Sequence, residues 1–257
     1  ELTNKVIHPI QGLWRTDAQK LDKLKSRHTQ LMSSTLNPLE KIHWLLEDGK
    51  RYGTLPFAGL ARAGFIAIQI LRSFITEGVM TIDDYARFME SITTVSSCLA
   101  YDRLKLTKDA FLSKYGHLRP GAYDILSPRY DEAPDLYFDW KKKEQQNQKQ
   151  ACFSLKREKK EKLSKLLEKN GLSEDPDDLM NFLREGITLR EEAKFHFSQN
   201  LSDAMVLIGQ VGNHYGFDLE DISFSNISVF KELYIGALDQ KNALKDEIKK
   251  GKHQYND

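Results

Sequence analysis

The sequence predicts helices along nearly its whole length, and one polar segment of seventeen residues interrupts them. This segment, Lys114 to Tyr130, is called the polar loop below; it contains one His, two Arg, one Asp and three Tyr, with two Gly and two Pro. Gly and Pro restrict the backbone to turn conformations, and ordered loops on a rigid scaffold often carry binding residues. The polar loop is therefore either part of a binding site or a structured connector whose Arg and Asp side chains pair with each other.

Helix-start signals recur along the rest of the chain. In each signal, an Asn, Asp or Thr is followed by Pro within two residues or by an acidic residue at the third position. Both patterns are typical of a capped helix N-terminus. The five places are Asn37, Thr54, Thr81, Asp175 and Thr188. Gly49 is predicted to end the helix that follows Asn37, and Thr188 is predicted to begin a separate long helix that ends at Gly216.

Apolar residues at helical spacing follow these signals, and no alternating run of strand length stands out. The sequence therefore predicts an all-α fold, a multi-helix domain with long antiparallel helices and one ordered polar loop.

The composition limits the classes of protein to which the chain can belong. Of its 257 residues, 40% are apolar and 29% are charged, and the formal net charge is +1. These values predict a soluble protein without a global field that would draw it to nucleic acid or membrane. The most apolar stretch, Leu55 to Leu71, is interrupted by Arg62 and is shorter than the roughly twenty apolar residues of a membrane span. Cys98 and Cys152 lie far apart and suggest no disulfide framework, so we expect a cytoplasmic location.

We expect residues 1–257 to form a single helical domain, a fragment of a larger chain, because the sequence begins with Glu1 and its ends resemble excised helical segments. Four sub-regions are predicted: N-terminal helices over 1–50, core helices with the polar loop over 54–130, a Lys-rich helical connector over 131–175 and C-terminal helices over 176–257. From Lys141 to Lys169, eleven Lys and Arg stand against four Glu. Interleaved aromatic residues are few there, so a solvated helical face is favoured over a nucleic-acid site.

Two arginines outside the polar loop are candidate anion ligands. Arg62 is surrounded by Gly and Ala, which let neighbouring helix backbones approach closely. Arg190 lies on the same helical face as apolar residues of the segment 189–215, where an uncompensated charge would cost several kcal/mol. Arg62 reaches solvent, pairs with a carboxylate or binds an anion. Arg190 either pairs with Asp124, Glu185 or another carboxylate, or binds a phosphate or carboxylate of a ligand.

Within the polar loop, the candidate binding residues are His117, Arg119, Tyr123, Asp124 and Arg129. His117 is either a general acid or base or a residue that ends the preceding helix. Arg119 and Arg129 either flank a phosphate or hold Asp124. The tyrosine rings either pack the loop or contact a ligand. No complete catalytic constellation, phosphate-binding Gly-rich loop or metal cluster occurs in the sequence.

The polar loop and its extension, KYGHLRPGAYDILSPRYDE, resemble a motif of the phosphoenolpyruvate synthase-like, or rifampicin phosphotransferase-like, enzymes. In that group a sequence similar to YGHRGPGEYDLSSPRW lies in the mostly helical central domain. Three further segments, LPFAGLARAGFIAIQILRSFITEGVMT, ITLREEAKF and FDLEDISFSNISVFKEL, are similar to parts of the same domain and follow the same order. The resemblance runs from about Thr54 to Leu233. Leu118 and Ala122 depart from the pattern of the antibiotic enzyme, so rifampicin is not the expected acceptor.

The resemblance implies an acceptor-binding or linker domain of an ATP-dependent dikinase-type phosphotransferase. Such enzymes move phosphate from ATP, on a nucleotide-binding domain, through a phosphohistidine on a swivelling domain to an acceptor. None of the seven histidines of this chain follows Ser or Thr, as the phosphohistidine of that group does. The chain alone is therefore predicted to be inactive, with no catalytic residue, metal or cofactor of its own, and ATP and Mg are expected on the missing domains.

The implied partners are the nucleotide-binding and phosphohistidine domains of the parent chain, with a small-molecule acceptor as a further candidate. Membrane and nucleic-acid partners are not expected. The five loop residues would shape the acceptor pocket, while Arg62 and Arg190 would steady the loop or the anionic group. The alternative hypothesis is a non-catalytic helical interaction module. It predicts that Arg119 and Arg129 pair with Asp124 or with backbone carbonyls, and that no concave pocket adjoins them.

Overall fold

The computed structural model of this chain describes residues 2–140, 153–172, 175–236 and 239–256. These residues form helices joined by loops and include no β-strand, so the all-α prediction is confirmed. The helices are α1 (Leu2–Ile7), α2 (Leu13–Met32), α3 (Pro38–Asp48), α4 (Leu55–Thr76), α5 (Ile82–Glu90), α6 (Val95–Lys105), α7 (Lys108–Tyr115), α8 (Pro134–Tyr137), α9 (Arg157–Lys169), α10 (Pro176–Tyr215), α11 (Leu219–Ser223), α12 (Ser228–Ile235) and α13 (Gln240–Asn256).

Capping residues determine where several of these helices begin. At α3, the Asn37 side chain accepts a hydrogen bond from the backbone N–H of Glu40 (3.0 Å), and the Glu40 carboxylate accepts one from the backbone N–H of Asn37 (2.8 Å). Thr81 and Asp84 form the same reciprocal arrangement at the start of α5. These two predicted helix starts are confirmed, because their side chains satisfy N–H groups that the helix cannot.

Three predicted helix boundaries are wrong. Thr54 has helical dihedral angles and makes no side-chain capping hydrogen bond, so it is not a capped helix start. Helix α10 runs without a break for 40 residues, so Thr188 does not begin a new helix. Glu191 accepts a hydrogen bond from the Arg190 side chain there and does not act in a capping box. Gly49 has right-handed helical dihedral angles, and the chain continues through a π-helical turn, Gly49–Thr54, into α4. A glycine ends a helix when it adopts a left-handed conformation, which Gly49 does not.

The chain divides into two compact units, each built from three separate segments. The first unit contains Glu1–Lys23, Tyr52–Lys105 and Lys143–Phe195, and the second contains Leu24–Arg51, Leu106–Lys142 and His196–Asp257. Both α2 and α10 contribute residues to each unit. This division differs from the four consecutive sub-regions expected from the sequence, since local composition does not show which distant segments pack together.

Each unit has a buried apolar core. The core of the first unit is made largely by α4, α9 and α10, with residues such as Leu60, Leu71, Phe74, Leu163 and Leu183. The core of the second unit includes Ile42, Ile208, Phe230, Leu233 and Leu244, from α3, α10, α12 and α13.

Cationic side chains of α9 are engaged within the first unit. Lys159 pairs with Asp84 of α5, and Lys160 pairs with Asp177 of α10 at 2.7 Å. The hydrogen bond from Lys159 is the largest of the effects that lower the pKa of Asp84. The remaining part of the Lys-rich connector, residues 141–152 and 173–174, lies outside the described residues, as does Cys152.

The continuous helical stretch Pro38–Thr76 is long and apolar enough to cross a membrane by length and composition alone, with 33% of its most apolar window buried. One such stretch is weak evidence, because core helices pass the same test. The cytoplasmic location stays a prediction.

Helices α4 and α10 approach each other closely at small residues. A Cβ atom added to Gly64 would lie 3.0 Å from the backbone oxygen of Gly186, and one added to Gly186 would lie 3.4 Å from the oxygen of Ala63. The small residues beside Arg62 thus permit the close helix contact that the sequence suggested.

We predict that Gly64→Val lowers the free energy of unfolding by about 1–3 kcal/mol, because added methyl groups force the two backbones apart. The matched control is Ala58→Val, at an exposed position of the same helix, where the change should be about 0.5 kcal/mol or less. Urea denaturation of both variants measures the difference. Equal stabilities of the two variants would contradict the close contact.

Candidate functional site

Backbone hydrogen bonds hold the two ends of the polar loop together. Helix α7 ends at Tyr115, and the N–H of Tyr130 donates to the oxygen of Leu118 at 2.9 Å. The N–H of Asp131 donates to the oxygen of Gly116 at 3.2 Å. The two ends of the loop therefore lie next to each other, as in a compact surface loop.

The tip of the polar loop is a tight turn. The N–H of Asp124 donates to the oxygen of Gly121 at 2.9 Å, and the Asp124 carboxylate accepts from the N–H of Leu126 at 2.9 Å. The Ser127 hydroxyl accepts from the N–H of Gly121 at 3.1 Å. A Cβ atom on Gly121 would approach the Asp124 side chain within 2.9 Å, so the turn needs glycine there. One carboxylate oxygen of Asp124 is thus used by the turn itself.

Arg119 is buried, with 8% of its surface exposed, and its guanidinium is hydrogen-bonded inside the unit. It donates to the backbone oxygen of Asp124 and to the hydroxyl of Ser202 on α10, both at 3.3 Å. That hydroxyl in turn donates to the backbone oxygen of His117 at 2.6 Å. Burial lowers the pKa of Arg119, opposed by nearby carboxylates, of which Glu132 acts most strongly. Ser202 therefore connects the buried arginine to the start of the loop.

Arg129 lies between two carboxylates. Its guanidinium donates two hydrogen bonds to Asp131 (2.9 and 2.7 Å) and one to Asp203 of α10 (2.6 Å). Its backbone N–H donates to the Glu132 carboxylate at 2.8 Å. Burial acts to lower the pKa of Arg129, but the hydrogen bonds to Asp131 and Asp203 outweigh it and raise the pKa.

Asp203 joins the polar loop to α2 as well. Its second carboxylate oxygen lies 2.7 Å from Nε2 of His28. Burial acts to raise the pKa of Asp203, but hydrogen bonds from His28 and Arg129 outweigh it and lower the pKa. The buried Asp203 carboxylate therefore fixes the positions of His28 and Arg129 relative to α10.

Aromatic rings surround the returning end of the loop. Tyr130 packs against Tyr137 and Phe138 with ring centroids 5.0 and 4.9 Å apart. Phe138 packs against the buried ring of Phe111 on α7 at 5.1 Å. The Tyr137 hydroxyl donates to the backbone oxygen of Pro128 at 2.8 Å. Burial raises the pKa of Tyr130, and the proximity of Tyr137 raises it further.

The exposed part of the polar loop is its tip. Tyr123 is 75% exposed and Leu126 is 48% exposed, while Ile125 packs against the core of the second unit. Asp124 is exposed as well. Of the five candidate loop residues, Tyr123 and Asp124 therefore face outward, whereas His117 and Arg119 are buried and Arg129 is largely enclosed by its carboxylate partners.

The two other candidate arginines belong to the first unit. Arg62 is exposed on α4. Arg190 donates to Glu191 at 2.8 Å, and its guanidinium lies 6.0 Å from the ring centroid of Phe65. The Arg190 side chain is 37% exposed, so its charge is not buried as expected, and it pairs with its sequence neighbour Glu191, which the sequence had assigned to a helix cap. The expectation that Arg62 and Arg190 serve the polar loop stays a prediction.

Sequence reasoning missed the residues that hold the loop in place, above all His28, Asp131, Ser202 and Asp203. Ser202 and Asp203 lie outside the apolar stripe of Phe197, Leu201, Ala204, Ile208 and Val211, and only the structure shows that both are buried. Buried polar residues need hydrogen-bond partners. The loop supplies them, because Arg119 and the carbonyl of His117 bond to Ser202, and Arg129 bonds to Asp203. His28 has no local signal either, since its contact is 175 residues away in sequence.

No group of three or more His, Cys, Asp or Glu in the described part of the chain could hold a metal ion. A cavity of about 10 Å³ is lined by residues of α3 and α12, none of them from the polar loop: Ile42, His43, Leu46, Glu47, Phe230 and Lys231. It has room for about one water molecule.

Comparison of this chain with protein-family models, curated proteins and solved structures finds no match.

We predict that Asp203→Asn lowers the free energy of unfolding by about 1.5–3 kcal/mol at pH 7, because the partly buried Arg129 loses one of its two carboxylate partners. The control is Asp135→Asn, which removes an exposed carboxylate that pairs with Lys108 at 2.8 Å. Its effect should stay below about 1 kcal/mol. Equilibrium denaturation of both variants checks the contrast, which equal losses would refute.

The same variant has a predicted pH dependence. The pKa of Asp203 is lowered in the folded chain, so its stabilisation is fully present above the unfolded value of about 4 and is lost as the pH falls through the folded value. The stability difference between the wild type and Asp203→Asn should therefore shrink as the pH falls below about 4. A difference that stays constant down to the acid transition would show that the Asp203 charge does not stabilise the fold.

Proposed function

We propose that this chain is the central helical domain of a phosphotransferase that resembles phosphoenolpyruvate synthase and the rifampicin enzyme. In this proposal the polar loop is a rigid brace, and its tip faces the acceptor or a partner domain. The sequence of the loop supports the family assignment, and the enclosure of Arg119 and Arg129 supports the role of the loop. The single observation that carries the proposal is the resemblance of the loop sequence to the motif of that group, while the inward placement of the two arginines supports only the brace.

The charges near the loop favour the linker role over the acceptor-binding role for the two arginines. Arg119 donates to a hydroxyl and a carbonyl oxygen, and Arg129 is held by Asp131 and Asp203. A phosphate that approached Arg129 would have to displace a carboxylate at hydrogen-bond distance. Carboxylates that already neutralise a guanidinium disfavour a second anion. The parts of the loop that could touch an acceptor are thus Tyr123 and Leu126 at the tip.

Phosphate transfer in this proposal uses groups outside this chain. ATP and Mg would bind the nucleotide-binding domain, and a histidine of the swivelling domain would carry the phosphate. The helical domain would supply the rigid surface on which these parts meet, since effective transfer requires positioned reactants.

A helical interaction module without any link to phosphate transfer is the second candidate. The observation that favours it is the loop geometry, because Arg119 bonds to a backbone carbonyl and Arg129 to two carboxylates. In both candidate functions the polar loop is a rigid brace. They differ in whether the complete polypeptide transfers phosphate.

The test is to express the complete open reading frame that contains this sequence and to incubate the product with ATP labelled on the β-phosphate. We predict an acid-labile phosphohistidine on a residue outside these 257 residues, and no label on the isolated chain. Mass spectrometry of the labelled peptides locates the site. Absence of phosphohistidine in the complete polypeptide would contradict the phosphotransferase proposal, and a label on His117 would contradict the assigned role of the loop.

A second test concerns the tip. Tyr123→Ala should leave the free energy of unfolding within about 0.5 kcal/mol, because the side chain is exposed, and should lower phosphate transfer from the phosphohistidine. Ile235→Ala, which truncates another highly exposed apolar side chain of the second unit, is the control and should leave transfer unchanged. Transfer kinetics of the complete polypeptide distinguish the variants. Unchanged transfer in Tyr123→Ala would remove the tip from the proposal.

A further inference from the structure

His28 lies at the end of the row of charged groups that fastens the polar loop. Its Nε2 atom is 2.7 Å from one carboxylate oxygen of Asp203, whose other oxygen accepts a hydrogen bond from Arg129 at 2.6 Å. The three side chains are 13%, 11% and 12% exposed, respectively. Because they lie away from bulk water, a change of charge on one of them acts strongly on the other two.

The charged groups that face His28 come from two elements. Asp203 of α10 contacts it directly, and Arg129 and Asp131 of the loop segment lie beyond Asp203. Arg27, its neighbour on α2, pairs instead with the buried Asp48 of α3 at 2.8 Å. With a neutral imidazole, the enclosed pair of Arg129 and Asp203 is already balanced, and the second carboxylate partner of Arg129, Asp131, is 38% exposed. Arg119 lies near Arg129 as well, and the backbone N–H of Arg129 donates to the Glu132 carboxylate.

We infer that His28 is a pH-sensitive latch for the polar loop, closed when its imidazole is protonated and looser when it is neutral. The imidazolium turns the contact with Asp203 into a hydrogen bond between two charged groups, which is roughly twice as strong as one between neutral groups. A proton that binds the closed loop more tightly than the open loop shifts the population towards the closed loop.

This inference does not rest on the proposed phosphotransferase function, because it concerns only contacts within the second unit. Among side chains, histidine is the one whose charge ordinarily changes between pH 5 and 8. The exposed tip of the loop would then be held more firmly at the lower pH.

The test is hydrogen–deuterium exchange of the full chain at pH 6 and pH 8, corrected for the intrinsic exchange rates and read on peptides that cover residues 116–131. We expect the protection of this segment to fall by about tenfold from pH 6 to pH 8 in the wild type, which corresponds to one charge-assisted hydrogen bond. His28→Gln should show the same protection at both pH values. His214→Gln, at an exposed histidine of α10, is the control and should behave as the wild type.

Wild-type protection that is equal at both pH values overturns the inference, and so does a fall that persists in His28→Gln. Should His28→Gln not fold, nuclear magnetic resonance of the wild type decides the question without any variant. The imidazole of His28 and the amide of Tyr130, which bonds to Leu118 across the loop, should then titrate with one common midpoint. A Tyr130 amide that does not follow the imidazole, or an imidazole that does not titrate between pH 5 and 8.5, contradicts the latch.

Discussion

Arg129 is held by Asp131 from its own segment and by Asp203 from α10, and this arrangement determines what the polar loop can do. A guanidinium with two carboxylate partners is stable in a largely buried position, whereas the loss of one partner is costly. Because Asp203 also contacts His28, one carboxylate connects segments that are far apart in sequence. Ser202, the residue before it, receives a hydrogen bond from Arg119 and donates to the carbonyl of His117. Two consecutive residues of α10 thus fasten both arginines of the loop.

The helical architecture could be predicted because its signals are local. Asn37 with Glu40, and Thr81 with Asp84, lie within one helical turn of each other, so the sequence shows both partners of each cap at once. Thr188 and Glu191 carry the same pattern inside a longer helix, where continued helical hydrogen bonding and packing outweigh the capping signal. Gly49 shows the same limit, since the fold keeps it in a helical conformation. Local patterns therefore predict the presence of a helix more reliably than the residue at which it ends.

The candidate site was predicted in part. The polar loop was recognised as an ordered segment, but the partners of its arginines were not, because Ser202, Asp203 and His28 come from distant segments. Of the two hypotheses for the loop, pairing within the protein accounts for Arg129 and for the two terminal nitrogens of Arg119, whose buried Nε atom makes no hydrogen bond. Asp124 contributes a backbone carbonyl to Arg119 and keeps its carboxylate for the turn. For Arg190, the partner is the adjacent Glu191, a carboxylate that the sequence assigned to a helix cap.

The account of the loop depends on a net favourable interaction between Arg129 and Asp203, which a double-mutant cycle measures directly. The variants are Arg129→Gln, Asp203→Asn and the double variant, compared by denaturant unfolding at pH 7. If Asp203 holds the loop through Arg129, the two groups are coupled by about 1–3 kcal/mol, so that the second substitution costs much less once the first is present. Additive losses, with a coupling of zero within error, would show that α10 does not hold the loop through this pair and would contradict the account.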